Sequence, residues 1–159
     1  MKKKLVLFIS IVAALAVLAA GVAIFVQMGD CTATIGTEKS LAGDNVVIPL
    51  KLSKNSGMWG GQIIINYDSD AIDFVSCENG ELFEECASND NEGQLSILVN
   101  QSNLKNTKKS GILLNLKFTV KETAKSGSYK LSFDKDTNFC DADAELVDVE
   151  LKSGEIIVK

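Results

Sequence analysis

From residue 45 onward, apolar side chains recur at every second position in short runs. Residues 45–52, NVVIPLKL, set Val46, Ile48, Leu50 and Leu52 against Val47, Pro49 and Lys51. Residues 111–121 place Ile112, Leu114, Leu116, Phe118 and Val120 in strict alternation, and residues 127–134 put Tyr129, Leu131 and Phe133 on one side. Successive side chains of a strand point to opposite faces, so each run predicts a strand with one buried face. Further strands are predicted at 60–68, 71–77, 93–101, 144–152 and 154–159, while residues 78–86 read as a polar loop or one helical turn. Gly, Asn, Asp and Ser separate these runs at short spacing, and no long apolar helical period follows Met28. Such a pattern predicts an all-β antiparallel sandwich or barrel.

One run conflicts with simple alternation. In residues 60–67, GGQIIINY, the three consecutive isoleucines cannot all face one core. If Ile63, Ile65 and Tyr67 point inward, then Gln62, Ile64 and Asn66 point outward, and Ile64 is left on an outer face.

The start of the chain differs from the rest. Lys2, Lys3 and Lys4 precede an apolar run from Leu5 to Met28 whose only polar residues are Ser10 and Gln27. At about 1.5 Å per residue, such a helix is long enough for a hydrocarbon core of about 30 Å. The run continues past the small-x-small sites at residues 14–16 and 21–23, which favours an uncleaved anchor over a cleaved signal peptide. The predicted organisation is therefore residues 1–28 as signal anchor or signal peptide, 29–33 as a short juxtamembrane segment, and 34–159 as one sandwich domain. Lysines ahead of the apolar run predict a cytoplasmic N-terminus and an extracellular C-terminal domain, single-pass anchored, or secreted if the signal is cleaved.

Composition narrows the chemistry. The chain contains no histidine or arginine, and with Lys2, Lys3 and Lys4 set aside the remaining 13 of its 16 lysines face 21 carboxylates. An acidic domain argues against nucleic-acid binding, and missing histidine excludes His-dependent triads. Four cysteines, Cys31, Cys77, Cys86 and Cys140, fit an exported domain with two disulfides. Three pairings are open; the short polar segment between Cys77 and Cys86 favours 77 with 86 and 31 with 140.

Three segments, in order, resemble a cohesin module. They are GDNVVIPLKL, GMWGGQIIINYDSDAIDFVS and GILLNLKFTVKETAKSGSYKLSF. The resemblance spans about residues 34–158. It implies a jelly-roll β-sandwich of about nine strands, a non-catalytic role, and a dockerin-bearing partner such as a polysaccharide-degrading enzyme of a cellulosome-like assembly. It also implies that calcium sits on the dockerin, with no cofactor on this chain. The family's binding plateau would be built here from strands matching 60–67, 95–101, 112–120 and 129–134. Its outward residues would be Gln62, Ile64, Asn66, Ser96, Leu98 and Asn100, with Gln101 at the strand end. Ile64 beside Leu98 then forms an apolar patch rimmed by amides, as a protein interface requires. Two positions depart from the best-known cohesin type. Gly60-Gly61-Gln62 stands where an Asn-x-Asp triplet is common, and Gln101 where an acidic residue often follows. Both imply a divergent partner preference.

Other readings attach to single features. Asp134, Asp136, Asn138 and Glu145 match ligand positions of an EF-hand loop, but Phe139 occupies the glycine position and no flanking helix is predicted. A solvated acidic loop is the simpler reading. Direct polysaccharide binding would use rows of aromatics, whereas the only tryptophan, Trp59, lies in a turn. A purely structural surface domain is the remaining alternative.

Overall fold

The computed structural model describes residues 31–103 and 105–159. The apolar run expected to anchor the chain lies outside these residues. Among the described residues, no helix is long and apolar enough to cross a membrane.

Among the described residues, thirteen strands form two stacked sheets. The first sheet holds β1 (Thr32–Ile35), β3 (Asn45–Ser53), β5 (Ile72–Asn79), β8 (Gly111–Val120) and β12 (Glu150–Lys152), in the order β12-β1-β3-β8-β5. The second holds β2 (Thr37–Ser40), β4 (Gly60–Asn66), β6 (Glu85–Asp90), β7 (Gln94–Asn100), β9 (Gly127–Phe133), β10 (Asn138–Cys140), β11 (Leu146–Val147) and β13 (Gly154–Val158). In that sheet β7 pairs with one edge of β4, and β6 pairs with β7. The other edge of β4 is shared: β10 takes Gly60, Gly61 and Gln62, and β9 takes Ile65 and Asn66.

The all-β sandwich expected from alternation is present, with three differences. The sheets are mixed, because β1 runs parallel to β12 and β2 parallel to β13. The first strand begins at Thr32, so residues 32 and 33 belong to the sandwich rather than to a juxtamembrane segment. Residues 78–86 contain no helical turn. Instead β5 continues through Asn79 and β6 starts at Glu85, with Leu82 and Phe83 buried between them.

The core lies between the sheets, where Ile48, Leu50, Leu114, Leu116 and Phe118 of the first meet Ile63, Ile65, Leu95, Ile97 and Leu131 of the second. Phe118 is met edge-on by Tyr67 and Phe74, with ring centroids 5.5 and 5.7 Å away, a favoured arrangement of aromatic quadrupoles. Alternation in β8 is interrupted by a bulge: Leu50 pairs with Leu114 and Lys51 with Ile112, so Leu113 is the extra residue and is fully buried.

Asn55 closes one end of the sandwich. Only 8% exposed, it donates from Nδ2 to the Thr107 and Lys109 carbonyls, each at 2.9 Å. Its Oδ1 accepts from the Gly57 N–H at 3.0 Å. Asn55→Ala removes all three bonds and takes from the buried Gly57 N–H its acceptor, while the Thr107 carbonyl keeps the Met58 N–H at 3.0 Å, so unfolding free energy should fall by about 2 kcal/mol. A urea midpoint shifted down at constant slope is the expected reading, and an unchanged midpoint would show the loop is held by other contacts.

Tyr67 provides a second test. Its hydroxyl donates to the Asp90 carboxylate at 2.8 Å, and burial, followed by that bond and charge, pushes its phenol up to about 12. The unfolded phenol ionises near 10. The folded state therefore keeps a proton that the unfolded state loses. Stability from this group is complete below about pH 10 and is lost as pH rises through about 12. Tyr67→Phe should flatten the fall in melting temperature across that window; parallel curves would exclude Tyr67 as a contributor.

Candidate functional site

Cross-strand register places the predicted outward residues on one surface. On β4 the buried Ile63 and Ile65 alternate with Gln62, Ile64 and Asn66. On β7 the buried Leu95, Ile97 and Val99 alternate with Ser96, Leu98 and Asn100. Gln62 stands opposite Leu98, Ile64 opposite Ser96, and Asn66 opposite Gln94. Ile64 and Leu98 are thus diagonal neighbours rather than a direct pair, still within contact range across antiparallel strands. Leu98 is 56% exposed.

The other side of this face differs from expectation. Residues 112–120 were expected in the plateau, but β8 pairs with β3 and β5 in the opposite sheet. Alternation identifies a strand's inner side without identifying its sheet. The place beyond β7 is taken instead by β6, which sets Ala87 opposite Leu98 and Asn89 opposite Ser96. Beyond β4, β10 sets Asn138 opposite Gln62. Cys140 is paired with Leu146 and faces away from the buried Phe139, so Leu146 lies on the same outer side and is 78% exposed.

Where β9 hands over to β10, a polar turn fills the β4 edge. The Ile64 N–H donates to Thr137 Oγ1 at 3.0 Å, and the Ile64 carbonyl accepts from the Asp134 N–H at 2.8 Å. Gln94 donates to Asn66 Oδ1 at 3.0 Å, and Asn66 Nδ2 donates to Asp134 Oδ2 at 3.1 Å. The Asp136 backbone N–H, then the Asn66 amide, hold the Asp134 carboxyl below its usual range. These contacts fix the orientation of the amides around Ile64.

Gln101 turns away from the face. Its side-chain amide donates to the Leu82 carbonyl, and it lines a cleft of about 460 Å³ with Glu81, Glu84, Lys105 and Lys109. Asn100 Nδ2 donates to Glu85 Oε2 at 2.8 Å at the rim.

The acidic loop is organised locally. Asp134 Oδ1 accepts from the Asp136 N–H at 3.1 Å, and Asn138 Nδ2 donates to the Asp136 carbonyl at 3.0 Å. Glu145 belongs to a separate turn, where its N–H donates to Asp141 Oδ1 at 2.9 Å. Among the described residues no three Cys, Asp or Glu side chains converge as a cation site. The four cysteines are free thiols: Cys77 and Cys86 lie 3.2 Å apart, while Cys31 adjoins the first sheet and Cys140 lies in the second.

Together these features define a two-sheet β-sandwich whose distinctive surface is the outer face of its second sheet. On β7, β4 and β10 the outward positions are Ser, Leu, amide, Ile, Gly and Cys, with no charged side chain. A cohesin-domain family model matches residues 31–158, and the chain belongs to the cohesin family. Solved structures agree on the fold. A type I cohesin–dockerin complex from Clostridium thermocellum, Coh-OlpA-Doc918, matches with TM-score 0.75 at 18% identity, over 82% of this chain and 100% of that one. The sixth cohesin of Acetivibrio cellulolyticus scaffoldin B, in complex with a mutant Cel5 dockerin, matches at TM-score 0.76 and 20% identity, over 82% and 100%. A non-cellulosomal cohesin from the archaeon Archaeoglobus fulgidus matches at TM-score 0.72 and 19% identity, over 82% and 92%. No curated protein matches the sequence.

Proposed function

We propose that this chain is a non-catalytic docking module that captures a dockerin-bearing protein on the outer face of β6, β7, β4 and β10. The observation that carries this reading is an uncharged patch, centred on exposed Leu98 and diagonal Ile64, on an otherwise acidic domain. Depletion of charge around an apolar centre, with polar groups at the rim, is the composition of a protein interface. Gln62, Asn66, Ser96, Asn100 and Asn138 supply orientation, and Leu98 and Ile64 supply the dry centre. Calcium belongs to the dockerin in this scheme. The apolar run at residues 5–28 holds the module at the outer surface of the membrane, and the captured protein is a polysaccharide-degrading enzyme.

The test is calorimetric titration of the full chain, in mild detergent, against dockerins of the same organism, first with calcium and then with chelator. Tight binding lost on chelation is expected. Absence of binding to every dockerin would overturn the proposal and move attention to polysaccharide retention through Trp59. That reading has less support, since the Trp59 indole N–H is engaged by the Asn103 carbonyl at 3.0 Å and, among the described residues, no aromatic occupies an outward position of β4, β6, β7 or β10. Because no charged side chain occupies the centre, affinity should change less than about threefold between roughly 0.1 and 0.5 M salt, where exposed charge pairs are strongly screened. A steep salt dependence would place the contact elsewhere on this acidic domain.

A further inference from the structure

Two of the four cysteines meet at the open rim of the sandwich. Cys77 is on β5, opposite the buried Leu116 of the first sheet. Cys86 is on β6, opposite the buried Val99 of the second. Both side chains therefore point inward, from different sheets, at a rim where β5 and β6 are edge strands. Their sulfurs lie 3.2 Å apart, with the Cys77 thiol donating to Cys86 Sγ. The other two cysteines are placed differently. Cys31 is buried in the core beside β1, and Cys140 follows the inward Phe139 and so faces outward from the opposite sheet.

We infer that Cys77 and Cys86 are an oxidisable pair that closes into a disulfide stapling the two sheets together at this rim, while Cys31 and Cys140 stay thiols. The inference does not depend on the docking reading. β6 needs such a staple: its residues are mostly exposed and polar, and among the described residues its only strand partner is β7. An exposed edge strand of this kind gains little from burial and opens readily. The oxidant is a disulfide carrier of the kind found in exporting compartments. The Cys86 thiolate attacks one carrier sulfur and expels the other as thiolate. Cys77 then loses its proton, attacks Cys86 Sγ in the mixed disulfide and expels the remaining carrier sulfur. Two protons and two electrons leave the pair, and one carrier disulfide becomes two thiols. The order follows from the site, because burial, then the bond to Cys86, hold the Cys77 thiol well above its usual range.

The test oxidises the reduced full chain with glutathione disulfide. Thiols should fall from four to two, and the tryptic fragment 55–105, which holds both cysteines, should lose about 2 mass units. Cys31 and Cys140 should still accept an alkylating label after unfolding. Closing a loop of this length should raise the melting temperature by roughly 5–10 °C, reversibly with reductant, and a Cys77→Ser/Cys86→Ser chain should show no reductant-dependent shift. Four persistent thiols, loss of label at Cys31 or Cys140, or a melting temperature indifferent to closure would each overturn the inference. All three are read on the unmutated chain.

Discussion

Leu98→Asp should lower affinity for a calcium-loaded dockerin at least about 100-fold while leaving the melting temperature within about 2 °C. The two halves of this expectation have separate causes. In the free domain Leu98 is more than half exposed, with Gln62 and Ala87 as its cross-strand neighbours. Replacing an exposed strand side chain changes stability little. In the proposed complex the same position lies at the centre of the face, where a partner would remove water. A carboxylate there is desolvated among amides with no cation on the neighbouring outward positions, and an unpaired buried charge costs about 3–5 kcal/mol. That exceeds the 2.7 kcal/mol or so that corresponds to a hundredfold loss. Titration of the variant beside thermal unfolding separates the two effects. Affinity within threefold of the unmutated chain would remove Leu98 from the interface, and a collapsed melting temperature would mean the side chain is structural.

The centre of this face was legible in the sequence because a strand has period two. Three adjacent isoleucines force one outward, and Ile64 is the one, as expected from alternation around Ile63 and Ile65. The same logic applied to residues 144–152 turns Val147, Val149 and Leu151 to one side and Leu146 to the other. The signal for Leu146 was therefore present in the sequence. Its place beside Cys140 depends on a three-residue strand with a single apolar anchor, Phe139, which no periodicity reveals. β6 was illegible for another reason. Its inward residues, Cys86, Ser88 and Asp90, lie at the rim and need not be apolar. Residues 32–40 were missed because Thr32–Ile35 alternates over only four residues, with Ala33 and Ile35 as its apolar positions, and Thr37–Ser40 has no apolar residue. Misplacing β8 follows from a general limit: its apolar side packs on a core common to both sheets, so its pattern is the same whichever sheet holds it.

Gly154→Ala should lower the unfolding free energy by about 3 kcal/mol, the upper part of the range for forcing atoms into a packed site. For a chain of this length that is a melting temperature roughly 10 °C lower. The cause is contact rather than backbone strain, since Gly154 does not adopt a positive φ. A Cβ there would lie 2.1 Å from the Gly36 carbonyl oxygen and 2.5 Å from that of Ile35. Both are backbone atoms at a corner where two chain segments change sheets together: β1 passes into β2 at Gly36, and β12 passes into β13 at Gly154. Gly36 cannot withdraw. Its N–H donates to the Pro49 carbonyl at 2.8 Å, and a Cβ on Gly36 would itself lie 2.9 Å from the Pro49 ring. Relief must come from separating the parallel pairs that tie β1 to β12 and β2 to β13. Gly127→Ala is the matched control: in β9, with nothing within 4 Å of a new Cβ, it should leave the melting temperature within about 2 °C. If both alanines behave alike, the corner has slack and the sheet switch is not what the two glycines serve. If only Gly154→Ala is destabilised yet still binds dockerin at low temperature, the corner holds the sandwich together without shaping its docking face, since β13 is separated from β4 by β9.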